Sequence, residues 1–84
     1  MKVHELKCWP SPFQAIRKGK KTFEFRRNDR DYQDGDMLIL DEWDPQAGQY
    51  TGDRITVSVP YILIGPAFGL PEGYCIMSIK RASL

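Results

Sequence analysis

Basic residues concentrate in one segment of the chain, from Arg17 to Arg30, and a glutamate lies in its middle. The segment holds seven of the twelve Lys and Arg residues, against only Glu24 and Asp29. In a β-strand, Glu24 and Arg26 would share a face about 7 Å apart, close enough to contact one ligand or each other. Cationic side chains neutralise phosphates, and a carboxylate can accept a hydrogen bond from the amino group of a base. The segment therefore favours an anion such as a nucleotide.

Aromatic residues flank the basic segment in sequence and in the strands that follow, at Trp9, Trp43 and Tyr61. Aromatic rings stack on bases, so cations and rings together favour single-stranded RNA or a nucleotide. The alternative is a solvated basic surface, balanced by residues 31–53, which hold seven carboxylates and no Lys or Arg. Exposed ion pairs contribute at most about 1 kcal/mol, so this alternative requires no ligand.

Residue counts exclude several classes of protein. Cys8, Cys75 and His4 offer three ligands where a structural zinc site needs four, so we expect no metal. Both cysteines lie in apolar runs, which predicts buried thiols rather than a disulfide. The chain contains neither GxxxxGK[ST] nor GxGxxG, the usual phosphate-binding motifs of nucleoside triphosphatases and dinucleotide enzymes, and we expect no cofactor. Without a membrane-length apolar run or a signal-peptide core, the expected location is the cytoplasm.

The first elements predicted are a strand and a short helix. Val3–Cys8 alternates apolar and polar residues, which is typical of a strand. Ser11 is a candidate N-cap and Gly19 a C-terminal stop, which predicts a helix of about two turns. Phe13 and Ile16 would turn one apolar face of this helix toward a core.

Four further strands are predicted, at Thr22–Arg26, Met37–Trp43, Arg54–Ile64 and Tyr74–Lys80. In the first of them, Phe23 and Phe25 are expected to face the core and Thr22, Glu24 and Arg26 the opposite side. The second and third form a long antiparallel hairpin. In the third, Pro60 predicts a bulge or an edge, and one face carries apolar residues at Ile55, Val57, Val59, Tyr61 and Leu63.

The order of elements is therefore β, α, β, β, β, β in one domain that covers residues 1–84. One short helix cannot cover a large open sheet, and five short strands avoid exposed edges most readily by curling. We expect an α+β fold with a small barrel or half-barrel of about five strands. The helix after the first strand would plug or cover one end.

Several motifs resemble one known family. Residues 19–26 read G-K-K-T-F-E-F-R and are followed by N-D-R and Y-Q-D-G-D-M-L. Further motifs are H-E-L-K, P-x-x-F-x-x-I-x-x-G-x-K, E-W-D-P, Y-T-G and G-Y, at residues 4–7, 10–21, 42–45, 50–52 and 73–74. Over nearly the whole chain this pattern resembles the ASCH (activating-signal-cointegrator homology) domain of the PUA-like superfamily, in its short prokaryotic and phage-type branch. The resemblance implies a PUA-like β-barrel with a cleft beside the helix, and binding of RNA or a nucleotide.

One branch of ASCH proteins hydrolyses N4-acetylcytidine with a lysine and a threonine of G-x-K-T-x-T-x-R and a later glutamate. Lys21 matches that lysine, but Glu24 occupies the threonine position and cannot replace a hydroxyl nucleophile. Glu72 is only a loose match to the later glutamate. Hydrolysis of acylated nucleosides is therefore the alternative function, in which Lys21 and Glu24 would be the catalytic residues.

The leading hypothesis is a module that binds single-stranded RNA or a modified nucleotide in a cleft between helix and barrel. Cations would contact phosphates, Glu24 would accept from a base amino group, and Trp9 or Trp43 would stack. A third possibility is a protein-interaction module without nucleic acid. The predicted ligand-binding residues are Lys7, Trp9, Lys20, Lys21, Glu24, Arg26, Arg27, Arg30 and Trp43.

Overall fold

A computed structural model describes residues 1–82, which form five strands and one helix. In chain order the elements are β1 (Val3–Cys8), α1 (Pro10–Arg17), β2 (Phe23–Arg27), β3 (Met37–Asp44), β4 (Gln49–Ile64) and β5 (Tyr74–Arg81). All five predicted strands and the predicted helix are present. The largest difference is at β4, which begins five residues before the predicted Arg54. No helix within residues 1–82 has the length and apolar character that a membrane crossing requires.

The strands form one sheet in the order β1-β3-β4-β5-β2, which leaves β1 and β2 at its two edges. β1 pairs with β3 in parallel, and the other neighbouring pairs are antiparallel. β3 and β4 form the predicted long hairpin. The sheet curls into a half-barrel beside the short helix, which confirms a small, barrel-like α+β fold.

The helix begins earlier than its sequence predicts. Trp9 is the N-cap and contributes no side-chain hydrogen bond, whereas the prediction placed the cap at Ser11. Pro10 explains the difference, because its fixed φ suits the first helical turn and its missing N–H needs no partner there. Gly19, with φ +76°, ends the helix as predicted. Phe13 and Ile16 are buried, which confirms the apolar face.

The core lies on the concave inner face of the sheet. Its members are the alternate residues of four strands together with Tyr32 and the apolar face of α1. They are Leu6, Cys8, Phe13, Ile16, Tyr32, Leu38, Leu40, Ile55, Val57, Val59, Cys75, Met77 and Ile79. Both cysteines are buried free thiols, as predicted.

The strand β2 has the predicted alternation, but its two faces are reversed. Phe23 and Phe25 are 46% and 53% exposed, and Glu24 is only 3% exposed. The expectation that the two phenylalanines face the core is therefore wrong. The register is the reason, because Glu24 and Arg26 lie opposite Met77 and Cys75, whose side chains point into the core. A buried charge is tolerated when it is paired and hydrogen-bonded, as it is here.

The predicted irregularity near Pro60 is a β-bulge. The pairing of β4 with β5 shifts by one residue between Ser58 and Tyr61. A one-residue shift exchanges the faces of every following residue. Tyr61 is consequently exposed, contrary to prediction, and Ile62 packs against the core in its place. Leu63, also predicted on the apolar face, is half-buried on the outer side.

Candidate functional site

Glu24 is the centre of a buried ionic cluster on the inner side of β2. Its Oε1 accepts a hydrogen bond from Lys21 Nζ at 2.7 Å, and its Oε2 accepts one from Arg26 Nε at 2.9 Å. Taking a carboxylate out of water costs several kcal/mol unless its oxygens are paired, and both oxygens of Glu24 are paired. We call these three residues the Lys21–Glu24–Arg26 triad.

The two cations of the triad retain donors that Glu24 does not use. Arg26 also donates from Nη2 to the backbone oxygen of Lys7 at 2.9 Å. A lysine ammonium has three N–H groups and a guanidinium has five, so hydrogen bonds remain available to a ligand. The side chains of Lys21 and Arg26 are 22% and 25% exposed, which places them where the buried carboxylate meets solvent. The triad carries a net charge of +1 and is suited to an anion.

A second buried carboxylate, Glu42, lies on the inner face of β3. It accepts hydrogen bonds from Gln14 Nε2 of α1 at 3.0 Å and from Thr51 Oγ1 of β4 at 2.8 Å. Neither Glu42 nor these partners was among the predicted site residues. The alternation of Leu38, Leu40 and Glu42 was the available signal, because it places Glu42 on the same face as two core leucines.

Cys8 lies between the two carboxylates. Burial, together with the charges of Glu24 and Glu42, raises the pKa of the Cys8 thiol to about 11, and Lys21 and Arg26 oppose this rise. A thiol with such a pKa is protonated at neutral pH and is a poor nucleophile. Cys8 lies opposite Glu42 in the register of β1 with β3, and the neighbouring Lys7 oxygen accepts from Arg26, so the triad and Glu42 belong to the same end of the half-barrel.

Two predicted site residues lie on the opposite, outer face of the sheet. Lys7 Nζ is 4.0 Å from the ring centroid of Trp43, a cation–π contact. Trp43 in turn makes an edge-to-face contact with Tyr50, with ring centroids 4.8 Å apart. The structure therefore separates the side chains of Lys7 and Trp43 from the Lys21–Glu24–Arg26 triad.

The remaining four predicted residues are exposed. Trp9 and Lys20 lie before and after the helix. Arg27 lies with its Cζ 5.7 Å from the Tyr74 ring, and Arg30 donates from Nη1 to the backbone oxygen of Glu5 at 3.1 Å. Of the nine predicted residues, only Lys21, Glu24 and Arg26 are joined by hydrogen bonds between their side chains.

The largest depression is not the one nearest to the triad. It measures about 550 Å³ on the outer face, and its lining includes Lys7, Asp41, Tyr50 and Arg54. Arg54 there donates to Asp41 at 2.8 Å, so these two charges neutralise each other. A smaller depression of about 210 Å³ includes Lys21 and Gly19 in its lining. We place the candidate site at the triad because its cations have unused donors at the solvent boundary.

The side chains of this site are poorly suited to binding a metal ion. Within residues 1–82, no three His, Cys, Asp or Glu side chains are grouped so that they could hold a metal ion. The carboxylate oxygens of Glu24 and Glu42 already accept hydrogen bonds from cations, an amide and a hydroxyl. The arrangement offers donors to a ligand rather than acceptors to a cation.

Comparison with known proteins identifies a family. Residues 3–79 match the family described as a domain of unknown function, DUF3850. A protein of Escherichia phage P2, named "Uncharacterized 12.9 kDa protein in GpA 3'region", is 41% identical over 58 residues, which are 69% of this chain. This chain matches about half of that relative's length, 51%. With more than nine-tenths of its residues inside the family match, the chain belongs to the DUF3850 family.

Proposed function

We propose that this protein binds single-stranded RNA or a modified nucleotide at the Lys21–Glu24–Arg26 triad. One observation carries the proposal: a fully paired, buried carboxylate holds two cations at the solvent boundary with unused N–H donors. Glu24 fixes where both cations lie, so a ligand would meet donors that are already oriented. Preorganised donors reduce the ordering cost of binding.

The chemistry of the triad fits a phosphate or the carbonyl edge of a base. The free N–H groups of a guanidinium are arranged as a planar fork, which matches two oxygens of a phosphate. The ammonium of Lys21 is a compact charge that can contact a second oxygen. Exposed cations at Lys20, Arg27 and Arg30 would attract the phosphates that follow along a strand.

The resemblance to ASCH domains gives independent support. The motifs P-x-x-F-x-x-I-x-x-G-x-K and G-K-K-T-F-E-F-R end at two triad members, Lys21 and Arg26. In a PUA-like barrel the cleft beside the helix is the expected place for RNA or a nucleotide. We also propose that the half-barrel is of the PUA-like type, and its five strands and one helix are compatible with this.

Hydrolysis of acylated nucleosides such as N4-acetylcytidine has weaker support. Lys21 and Glu24 would have to act as the catalytic groups, yet both oxygens of Glu24 are engaged by cations. A general base needs an oxygen that can reach the proton it removes. Both cysteine thiols near the triad, Cys8 and Cys75, have raised pKa values that keep them protonated. Binding is therefore the better interpretation of this geometry.

The test is a titration of a fluorescently labelled RNA of about twelve nucleotides, followed by anisotropy at several salt concentrations. We expect log K to fall with log salt by about 0.7 for each neutralised phosphate. Lys21→Gln should weaken binding and reduce this slope by about 0.7. The matched control is Lys18→Gln, which removes an equal charge from an exposed position at the end of α1.

Thermal unfolding should first show that both variants are folded. Wild-type protein that does not bind, or binds with no salt dependence, contradicts the proposal. Equal losses in Lys21→Gln and Lys18→Gln would also contradict it, since the effect would then come from overall charge. Turnover of N4-acetylcytidine that disappears in Lys21→Gln would favour the hydrolase instead.

A further inference from the structure

A second surface of the protein carries exposed aromatic side chains that the triad does not use. The register of β2, β5 and β4 places Phe23, Ser78 and Tyr61 in one row across the sheet. The next row contains Phe25, Ile76 and Leu63, and the row after it contains Arg27 and Tyr74. We call the apolar members the outer aromatic face: Phe23, Phe25, Tyr61, Leu63, Tyr74 and Ile76.

The rings of the outer aromatic face are open to solvent. Tyr61 is 60% exposed, and Phe23 and Phe25 are about half exposed. Phe25 stacks on Tyr74 with ring centroids 5.6 Å apart and an interplanar angle of 20°, which holds both rings in fixed positions. A contiguous apolar patch of this kind is uncommon on a soluble monomer and marks an interaction surface.

The charges around this face are mainly positive, with Asp29 and Glu72 lining a depression beside Arg27 and Tyr74 at one end. Lys21 Nζ lies 5.0 Å from the Phe23 ring, and Arg27 Cζ lies 5.7 Å from the Tyr74 ring. Lys80 extends β5 beyond Ser78, and it is exposed. In the described part of the chain, the outward positions of β2 and β5 include no Asp or Glu. The face therefore combines stacking surfaces with a cationic rim.

We propose that the bases of a single-stranded RNA stack on the outer aromatic face. A nucleic acid supplies both the flat rings that match the aromatic residues and the phosphates that match the rim. Rows two residues apart on a strand are about 6.8 Å apart, and sheets with exposed aromatics at such spacing stack two or three bases. A second copy of the chain fits less well, because a two-fold contact would bring two cationic rims together.

Lys21 joins this face to the triad. Its Nζ contacts Glu24 on the inner side and lies over the Phe23 ring on the outer side. One strand of RNA could therefore pass from the triad across the edge strand β2 to the outer aromatic face. The inference rests on the proposed function and extends it, by predicting that affinity depends on RNA length as well as on the triad.

The experiment compares Phe25→Ala and Tyr61→Ala with wild type in the anisotropy titration. The matched control is Phe68→Ala, because Phe68 is 97% exposed, lies in the loop before β5 and is not a member of the face. Loss of one stacked base should weaken binding at least about fivefold. We expect this loss in Phe25→Ala and Tyr61→Ala and no change in Phe68→Ala. A labelled dinucleotide, too short to reach both surfaces, should bind wild type more weakly than the longer RNA does.

Each outcome separates this inference from the proposed function. If Lys21→Gln weakens RNA binding but Phe25→Ala and Tyr61→Ala do not, the outer aromatic face is not a stacking surface and the triad proposal stands. If wild-type protein binds no RNA, both fail. Sedimentation that shows a dimer lost in Phe25→Ala, with RNA affinity unchanged, would assign the face to a second copy and overturn the inference.

Discussion

Glu24 is buried because two cations contact its two oxygens from the same side of the strand. The alternation in β2 predicted that Glu24 would lie on the side of the strand that faces away from the core. Removing one member of a buried ion pair leaves the others without compensation, and this usually costs more than the pair contributes. The identity of the carboxylate therefore matters for stability as well as for binding.

Glu24→Gln should lower the free energy of unfolding by about 2 kcal/mol. The loss is smaller than for a fully buried pair, because Lys21 and Arg26 are partly exposed and water can solvate them. Urea denaturation of both proteins measures the difference. Asp41→Asn is the control, since Asp41 pairs with the exposed Arg54 and should cost less than about 1 kcal/mol. Equal losses of unfolding free energy in Glu24→Gln and Asp41→Asn would contradict the claim that the triad stabilises the fold more than an exposed ion pair does.

Asp36 is a third buried carboxylate, at the turn before β3. It accepts hydrogen bonds from the backbone N–H groups of Lys2 and Gln33 at 3.0 Å and from His4 Nε2 at 2.8 Å. Burial alone would raise the pKa of Asp36, but these hydrogen bonds and the nearby His4 outweigh burial and lower it. Since the folded-state pKa is the lower one, ionised Asp36 stabilises the fold above the unfolded pKa of about 3.9.

Acid should remove this stabilisation as the pH falls through the folded-state pKa of Asp36. We expect the urea midpoint of wild type to decline below about pH 4, and that of Asp36→Asn to decline less steeply. Asp34→Asn, at an exposed position in the same turn, should follow the wild-type curve. Parallel curves for wild type and Asp36→Asn would contradict the assignment.

Among the elements, β2 shows what an alternation pattern can and cannot predict. The pattern identified the strand and placed Glu24 and Arg26 on one face, and both statements are confirmed. It did not identify which face is inside, because hydrophobicity favoured Phe23 and Phe25. Only the pairing with β5 and the contact with Lys21 make the polar face the inner one. Both depend on residues outside the alternating segment, in β5 and at Lys21.

The same limit applies to the candidate site. Lys21, Glu24 and Arg26 were predictable because they are close in sequence. Trp43 was predicted to join them, but residues far apart in sequence can lie on opposite faces of a sheet, and Trp43 lies with Lys7 outside. In β4, Pro60 predicted the bulge, but the position of the extra residue decides the faces that follow, and Tyr61 was therefore misplaced.

Gly65, at the start of the loop between β4 and β5, is tightly packed against the backbone of the same loop. A Cβ built on Gly65 would lie 1.9 Å from the backbone oxygen of Pro71, so only glycine fits. We expect Gly65→Ala to lower the free energy of unfolding by about 3 kcal/mol, because a backbone clash cannot be relieved by a rotamer change. Gly48→Ala, at φ +67° with open space around it, should cost only about 1 kcal/mol. Urea denaturation distinguishes the two; similar losses would contradict the packing argument.

Considered as a whole, the molecule is an open half-barrel whose two edges are linked by arginine side chains. Arg26 of β2 donates to the backbone oxygen of Lys7 in β1, and Arg30 donates to that of Glu5. An edge strand exposes unpaired backbone groups, and these two arginines satisfy two of the acceptors of β1. Arg26 therefore belongs to the triad and to the link between the edges. This connects the candidate ligand site to the shape of the fold.

Arg26→Lys should test both roles. A lysine can still pair with Glu24, but it lacks the planar fork that reaches Glu24 and the Lys7 oxygen together. Amide hydrogen exchange should then become faster in β1 and β2, whose edges are no longer joined by Arg26, and stay unchanged in the β3–β4 hairpin. Arg54→Lys, on the outer side of β4, is the control and should leave all strands unchanged. Faster exchange throughout the sheet would mean that Arg26→Lys destabilises the whole fold, and this would contradict a local role for Arg26. If exchange in β1 and β2 did not change at all, the Arg26 hydrogen bond would contribute nothing to holding the edges. Local acceleration together with weaker RNA binding would show that closing the half-barrel and holding the ligand depend on the same guanidinium.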